Sequence, residues 1–452
     1  MRASSGTRAR PMSEGHSDAN LVGRRALLKG GTLAGAGVLG GLGGLSASCS
    51  GTATGDAFDP GSWESVRAQF ELTRDYAHFS AFMLASHPTP VRNAIAAFRQ
   101  GLDSDPRQYA LGMADIGLSA ETRKAVAGYF GAQPTEIALT DSTTMGIALV
   151  VQGLKLRAGD EVLTTEHDHY SLHESLRLRA IADGIVVRKV ALYDDPAKAS
   201  VDEIVSRLRA AIRAKTRVAA LTWVHSSTGV KLPMKEIGSA VAEINARRDA
   251  ADRVLVIVDG AHGFAAEDAT AGELGCDFFM TGTHKWLFGP RGTGFIWGKS
   301  DAWPRLNKIV PPFAPSGFTG RPGPPGEDYT PGGYHSFEHR WALVKAIEFH
   351  RAIGKARVAE RTISQATRLK EGLAALPNVR LITPRSPTLS AGITCCAVNG
   401  MDPETAAHRL FAEHKVSGAA TPYRESFLRL GPSIVTTPSE VDRAVKGVAA
   451  LR

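Results

Sequence analysis

The sequence contains little cysteine and no hydrophobic run that suggests a membrane span. Only four of the 452 residues are cysteines, which argues against a disulfide scaffold. Cys395 and Cys396 are adjacent and therefore poorly placed for an ordinary disulfide. No Cys/His spacing typical of zinc sites occurs. The uncharged stretch at residues 30–48 contains eight glycines, so it would make a poor membrane-spanning helix.

The composition is that of an ordinary globular protein, with 43% hydrophobic and 22% charged residues. These fractions argue against disorder and against a multi-span membrane protein. The formal net charge is +8, but residues 1–48 hold six basic and two acidic side chains and so account for half of it. No later run of Lys or Arg is interleaved with aromatic residues, so we expect no nucleic-acid partner.

The first 48 residues are interpreted as a targeting segment. Arg24 and Arg25 precede the weakly apolar stretch, an arrangement that resembles a bacterial Tat signal. We therefore expect a Tat-type signal peptide at 1–48, the Tat export machinery as a partner, and a periplasmic or otherwise extracytoplasmic protein. The sequence Ser-Ala-Ser-Cys at 46–49 also leaves a lipid anchor on Cys49 open. The alternative to a signal is a flexible Gly-rich tail with a chance Arg pair.

From about residue 120 the chain alternates predicted helices with short apolar strands. This alternation predicts an α/β fold with a large, doubly wound, mostly parallel sheet covered on both faces. We assign a linker and N-terminal arm to residues 49–90, the large domain to 91–335 and a smaller α/β C-terminal domain to 336–452. A single long helix is predicted over about 338–376. The Pro/Gly-rich segment 311–333 is either a functional loop or a rigid connector.

Two residues carry the main chemical signal. Asp259 ends the predicted strand at 254–258, and Lys285 follows 26 residues later among small polar residues and glycines. Ligands of open α/β sheets bind at the carboxyl ends of strands. A lysine amine and a carboxylate at such an edge are what pyridoxal phosphate (PLP) requires, one for its Schiff base and one beside its ring nitrogen.

A phosphate site is predicted between the strand at 136–140 and the following helix. Ser142, Thr143 and Thr144 offer hydroxyl and backbone N–H donors at that helix N-terminus. Taken alone, such residues are most often plain N-caps. Their combination with Asp259 and Lys285 favours PLP as the cofactor.

Several motifs resemble the class V aminotransferase family of fold-type I PLP-dependent enzymes, in particular its isopenicillin N epimerase-like branch. They are Val-Asp-Gly-Ala-His at 258–262, His-Lys-Trp-Leu at 284–287 and Pro-Arg-Gly-Thr-Gly-Phe at 290–295. The resemblance extends from about residue 75 to the end. It implies a PLP-binding large domain, a small C-terminal domain and a homodimer.

The resemblance also implies roles for individual residues. Lys285 corresponds to the Schiff-base lysine, Asp259 to the partner of the pyridinium, His262 to a cofactor-supporting residue and His284 to a phosphate-binding neighbour of the lysine. His169 is our choice for the ring-stacking residue, which also suits proton transfer. Tyr170 is the second choice and a candidate substrate contact. A metal cluster of three histidines is the disfavoured alternative for this segment, which contains His167, His169 and His173.

Three further positions complete the expected site. Ser226 matches a residue that touches the pyridine 3-oxygen, although many relatives have Asn there. Arg429 corresponds to the arginine that binds a substrate carboxylate, for which a bidentate guanidinium is well suited. In the family, the segment around Tyr334 crosses a dimer interface to the neighbouring subunit's phosphate. Because this chain departs from the usual Gly-Thr there, we place Tyr334 and His335 at the substrate entrance.

These motifs predict a PLP-dependent enzyme that acts at Cα of an amino acid or a peptide-borne amine, as an epimerase or aminotransferase would. Three alternatives stay open: a C–S or C–N lyase, an oxidative deaminase or decarboxylase, and a binding protein of the same fold without turnover. Desulfuration through a persulfide is disfavoured, because no cysteine lies in the substrate-facing loop that desulfurases use. No resident metal is expected.

Overall fold

The computed structural model describes residues 58–107 and 114–452. The predicted signal peptide and Cys49 lie outside this part of the chain. The strands are β1 Ile137–Thr140, β2 Glu161–Thr165, β3 Val186–Val190, β4 Thr216–Thr222, β5 Leu255–Asp259, β6 Phe278–Gly282, β7 Gly294–Gly298, β8 Val379–Leu381, β9 Thr394–Val398, β10 Ala419–Ala420 and β11 Leu428–Leu430. The helices are α1 Trp63–Ala68, α2 Thr89–Ser104, α3 Ala114–Phe130, α4 Thr143–Gly153, α5 Tyr170–Asp183, α6 Val201–Ala211, α7 Met234–Asn245, α8 Pro315–Thr319, α9 Pro325–Asp328, α10 Phe337–Ile353, α11 Lys355–Ala374, α12 Pro403–His414 and α13 Pro438–Ala450.

The larger sheet has seven strands in the order β1-β7-β6-β5-β4-β2-β3. Strand β7 runs antiparallel to both of its neighbours, and the pairs from β6 through β5, β4 and β2 to β3 are parallel. The predicted α/β fold with a mostly parallel sheet is therefore confirmed. Parallel pairing requires crossover connections, which helices α5 to α7 supply here.

Both faces of this sheet are buried. Neighbouring residues of a strand point to opposite faces. On β5, Val256 and Val258 belong to one hydrophobic cluster, whereas Leu255 and Ile257 belong to another. Strands buried on both faces read as continuous apolar runs, which is why the run at 254–258 is recognisable as a strand.

The smaller sheet has four antiparallel strands in the order β10-β11-β9-β8. The N-terminal segment contacts this part of the fold, since Ala77 forms a bridge with Val416 and Ser80 with Gly431. Cys395 and Cys396 both lie on β9 and are fully buried in the core. The domain boundaries assigned from the sequence stay a prediction.

The prediction of one helix over about 338–376 is wrong. Two helices, α10 and α11, occupy this region and meet at Gly354, whose φ of 97° and ψ of 123° are not helical. The segment 311–333 contains two short helices, α8 and α9, rather than loop alone. Within the described residues, no helix combines the length and the apolar character that crossing a bilayer requires.

Candidate active site

The carboxyl ends of the parallel strands meet at one edge of the large sheet, where the sequence places the candidate residues. There they line a common cavity, here called the Lys285 cavity. Its walls are formed by Ser142, Thr143, Thr144, His169, Ser171, Asp259, Ala261, His262, His284 and Lys285. Strands β1, β2, β5 and β6 thus each deliver side chains to the same space. This placement follows the general rule for ligand sites in open α/β sheets.

Lys285 lies on the loop between β6 and β7, which are adjacent antiparallel strands. The loop is closed by Thr283 N, which donates to Thr293 O at 3.0 Å, and by a contact between the two threonine hydroxyls. Burial lowers the pKa of Lys285 to about 8, although the nearby carboxylate of Asp259 opposes the shift. A lysine with a pKa near neutral is a nucleophile at physiological pH.

Asp259 is the last residue of β5 and is buried, with 2% of its surface exposed. One carboxylate oxygen accepts the backbone N–H of Ala261 at 3.0 Å. Burial raises the pKa of Asp259 to about 6, and the charge of Lys285 opposes the rise. The group is therefore still an anion at pH 7, ready to pair with a cationic ring nitrogen.

His262 follows Asp259 in the turn after β5. Its Nε2 lies 3.4 Å from the Nζ of Lys285, and its buried Nδ1 has no partner among the described residues. Burial, followed by the charge of Lys285, lowers the pKa of His262 well below the usual range, so the ring is neutral. A buried ring nitrogen without a hydrogen-bond partner, such as this Nδ1, is unusual in a folded protein.

The N-terminus of α4 forms part of the cavity wall. Ser142 is the N-cap, and its hydroxyl accepts Met145 N at 3.1 Å. The Thr143 hydroxyl accepts Gly282 N at 2.7 Å. A Cβ on Gly282 would lie 3.0 Å from the His284 ring and 3.3 Å from the Thr143 hydroxyl, so a side chain here would crowd both residues. The result is a set of hydroxyls and helix N–H groups suited to an anion.

His169 is the N-cap of α5 and lines the cavity. Its Nδ1 accepts the backbone N–H of Ser171 at 3.2 Å and lies 2.7 Å from the Ser171 hydroxyl. Because a backbone N–H can only donate, the proton of the neutral ring is on Nε2. Burial and the charge of Lys285 lower the pKa of His169 to about 4. Tyr170 is 61% exposed and tilts against the His169 ring, with centroids 4.2 Å apart.

The sequence assigned no role to Asp168, which the structure shows to be an organising residue. It is buried, and its two oxygens accept Thr165 N at 2.6 Å and Thr222 N at 2.7 Å, joining the ends of β2 and β4. Its Oδ1 lies 3.6 Å from the His225 ring. The only available signal is that Asp168 directly precedes His169 at a strand end.

His167 and His173 do not join His169 in a metal site within the described residues. The His167 ring stacks on Tyr193 at 4.5 Å, and His173 Nε2 lies 2.8 Å from Thr165 O.

Ser226 and Arg429 come together from distant parts of the chain. The Arg429 Nη1 donates to Ser226 O at 3.2 Å, and the guanidinium lies 4.2 Å above the Phe82 ring. The Ser226 hydroxyl contacts the hydroxyl of Tyr423. Phe82 and Tyr423 carry no sequence signal, because each lies in an irregular segment without a recognisable motif.

Tyr334 lies elsewhere. It is 83% exposed and lines a second cavity, together with Arg123, His335 and Arg340. Residues of the 311–333 segment form part of the same wall. Lys285 does not line this second cavity, so the described chain does not bring Tyr334 together with the other predicted site residues.

The residues of the Lys285 cavity fit PLP. A lysine amine and a buried carboxylate lie at one part of the cavity, and hydroxyls with a helix N-terminus lie at another. The buried Nδ1 of His262, which has no partner among the described residues, fits a polar ligand in this cavity. No group of three ligating side chains that would hold a metal ion occurs in the described part of the chain.

Comparison with known proteins agrees with this site. The family model for class-V aminotransferases matches residues 85–419. The isopenicillin N epimerases of Amycolatopsis lactamdurans and Streptomyces clavuligerus are 27% and 25% identical, with 86% of this chain and 98% of each relative covered. A probable cysteine desulfurase of Methanothermobacter thermautotrophicus is 29% identical over 55% of this chain and 59% of its own length.

Solved structures show the same fold. A mutant of C-DES with glycine covalently linked to its PLP cofactor superposes with a TM-score of 0.76 at 22% identity, covering 85% of this chain and 99% of that one. Because the family match spans most of the sequence and the cavity residues fit the cofactor, the chain belongs to the class-V aminotransferases and is a PLP-dependent enzyme.

Proposed function

We propose that this enzyme acts at Cα of an amino acid or a peptide-borne amine, in the manner of an epimerase or an aminotransferase. The observation that carries the proposal is the lysine amine of Lys285, with a pKa of about 8, in a cavity that also contains the buried Asp259. When bound, PLP supplies an electron sink for the bond broken at Cα.

In this proposal, different residues of the cavity bind different parts of the cofactor. Lys285 is its covalent anchor, and Asp259 pairs with the ring nitrogen. The donors at the α4 N-terminus hold the phosphate, assisted by His284, whose pKa is lowered to about 4 by burial and by Lys285. His262 and Ser226 would support the ring. The phosphate-binding hydroxyls are those of Ser142, Thr143 and Thr144.

Proton transfer is assigned to two residues. With its amine free, Lys285 would be the base that takes the Cα proton, since its lowered pKa leaves a large neutral fraction near pH 8. His169, which lines the cavity, would stack on the ring of the cofactor. Its proton is held on Nε2 by the Ser171 N–H on Nδ1, so it acts as a hydrogen-bond donor in its resting form.

Arg429 binds the substrate carboxylate. Its guanidinium is fixed by Phe82 and Ser226, and its buried Nε has no partner among the described residues. A buried guanidinium with free donors is suited to an anion. Tyr170, exposed beside His169, is a proposed substrate contact, whereas Tyr334 lies at the second cavity and stays a prediction.

Persulfide-forming desulfuration is the less favoured reaction. The three described cysteines, Cys276, Cys395 and Cys396, are buried, and burial raises the pKa of each thiol to about 12. The similarity also spans 98% of the epimerases but 59% of the probable desulfurase. Both observations favour chemistry that requires no protein thiol.

The assignment is tested by absorption spectroscopy of the purified enzyme. We expect a visible band from the bound cofactor that is lost in Lys285→Ala and kept in the control Lys299→Ala, whose lysine pairs with Asp277 outside the cavity. A band unchanged in Lys285→Ala would refute the role of Lys285. Amino acids and peptides are then screened in deuterated water. Deuterium at Cα of a substrate supports the proposed reaction, and the absence of incorporation across the panel contradicts it.

We also propose export by the Tat route and assembly as a homodimer. The twin arginines at 24–25 and the weakly apolar stretch that follows support export. The resemblance of the chain to the family as a whole supports the dimer.

A further inference from the structure

Strands β10 and β11 form a hairpin whose tip, residues 421–427, lies beside the active site. The tip is closed by Thr421 N, which donates to Phe427 O at 2.9 Å, and by the Ser426 hydroxyl, which donates to Thr421 O at 2.7 Å. Tyr423 extends from this tip, and its ring meets the His169 ring edge to face at 6.5 Å. The tip thus brings a phenol next to a residue that lines the cavity.

The tip and one strand of this hairpin contact the same residue. The hydroxyl of Tyr423 contacts the Ser226 hydroxyl, and Arg429 on β11 donates to the Ser226 carbonyl at 3.2 Å. The phenol and the guanidinium are therefore held within a few ångströms of one residue. The Arg429 charge also acts on the Tyr423 hydroxyl, as expected for near neighbours.

Arg429 has a buried donor that no described residue engages. Its Nη1 is engaged by Ser226 and its face by Phe82, but the buried Nε has no partner among the described residues. The side chain is 6% exposed. A buried cationic donor without a partner is costly to fold and indicates a ligand.

The Tyr423 hydroxyl can donate toward the same ligand. Burial raises the pKa of Tyr423 to about 12, so the phenol keeps its proton at neutral pH. Among the described residues, the Ser226 hydroxyl contacts only the Tyr423 hydroxyl, which allows it to donate to the phenol oxygen. The phenol proton is then free for an acceptor beside Arg429, and hydrogen bonds arranged in such a chain strengthen one another.

We propose that Tyr423, oriented by Ser226, is a specificity-determining residue that donates the second hydrogen bond to a substrate carboxylate held by Arg429. The inference rests on the proposed function, because it assumes that Arg429 binds a carboxylate. It adds that selection for carboxylate-bearing substrates depends on the hairpin tip and on the serine found where many relatives have asparagine. Ser226 is in this sense a positioning residue.

The test uses propionate, a carboxylate without an amine, which cannot react with the cofactor. Its affinity for the holoenzyme and for the cofactor-free protein is measured by titration calorimetry at constant ionic strength. We expect Tyr423→Phe to weaken propionate binding about tenfold in both forms, the effect of one hydrogen bond to a charged group. The control Tyr76→Phe, a tyrosine that packs on His78 and Phe411, is expected to bind as the unaltered protein does.

A double variant distinguishes an effect of Ser226 on the orientation of Tyr423 from a general structural effect of the substitution. If Ser226 acts through Tyr423, then Tyr423→Phe combined with Ser226→Ala binds propionate no more weakly than Tyr423→Phe alone. Unaltered affinity in Tyr423→Phe, with binding still lost in Arg429→Ala, overturns this inference and leaves the proposed function intact. Failure of the unaltered protein to bind propionate contradicts both the inference and the role of Arg429. The thermal midpoint without ligand reports any general loss of stability.

Discussion

Lys285 has a pKa of about 8 although a carboxylate lies near enough to oppose the shift. Desolvation therefore outweighs attraction at this position. Capture of PLP requires the neutral amine, whose fraction rises with pH up to the pKa. In the cofactor-free protein, the capture rate should rise about tenfold per pH unit below 8 and level off above it, rather than near 10.4 as for an exposed lysine.

Stopped-flow absorbance after mixing the cofactor-free protein with PLP measures this rate. Asp259→Asn provides the internal check, since Asp259 raises the pKa of Lys285 and its loss should move the midpoint to lower pH. A midpoint near 10 in the unaltered protein would show that Lys285 is not desolvated as described.

Single residues were predictable from the sequence where a motif fixes their chemistry. Asp259 and Lys285 were recognised because a strand-end carboxylate and a lysine before a Gly-rich turn suit one cofactor. Asp168, Ser171 and Tyr423 were not assigned roles, because their importance arises from contacts between segments. Asp168 joins two strand ends, and Tyr423 reaches a serine 197 residues away in the chain.

At the level of elements, Gly354 separates two helices that would otherwise continue into one another. Its φ of 97° lies in the region that glycine alone tolerates easily. A Cβ there would approach only Arg357, at an ordinary 3.7 Å, so any penalty comes from the backbone. We expect Gly354→Ala to lower the free energy of unfolding by about 1–3 kcal/mol.

Urea unfolding followed by circular dichroism measures the loss. The matched control is Gly272→Ala, where a Cβ meets nothing within 4 Å and φ is not positive. That variant should be neutral or more stable by about 0.4–1 kcal/mol. Equal behaviour of the two variants would argue against a required positive φ at Gly354.

The sequence pattern predicted some elements closely but missed the break at Gly354. Strand β5, predicted at 254–258, is observed at Leu255–Asp259, because a short apolar run buried on both faces defines it. The helical pattern continues on both sides of residue 354, so periodicity alone joins α10 to α11. A glycine inside a helical pattern can lie within one continuous helix or at a break between two helices. The packing of the two helices determines which of these occurs.

At the scale of the whole molecule, many histidines are buried in neutral form. Burial lowers the pKa to about 4 for four of them and to about 3 for the fifth, namely His87, His167, His169, His284 and His350. The unfolded chain takes up these protons as the pH falls through 6.5, whereas the folded protein does not. The cofactor-free protein should therefore lose stability steadily from pH 6.5 towards 4.

Urea midpoints measured across this range test the expectation. His350→Asn removes one fully buried contributor and should reduce the slope by about 1.4 kcal/mol per pH unit. The control His408→Asn, at a side chain that is 79% exposed, should leave the slope unchanged. A stability independent of pH between 6.5 and 4 would contradict the neutral burial of these rings.

The order of the site residues along the chain also has a consequence for biosynthesis. The residues assigned to the cofactor phosphate, the ring nitrogen and the covalent anchor all lie between Ser142 and Lys285 in the sequence. Arg429 and Tyr423 emerge from the ribosome well over a hundred residues later. The residues proposed to hold the cofactor are therefore synthesised before the residues proposed to select the substrate. A chain interrupted in between would retain the first set and lack the second.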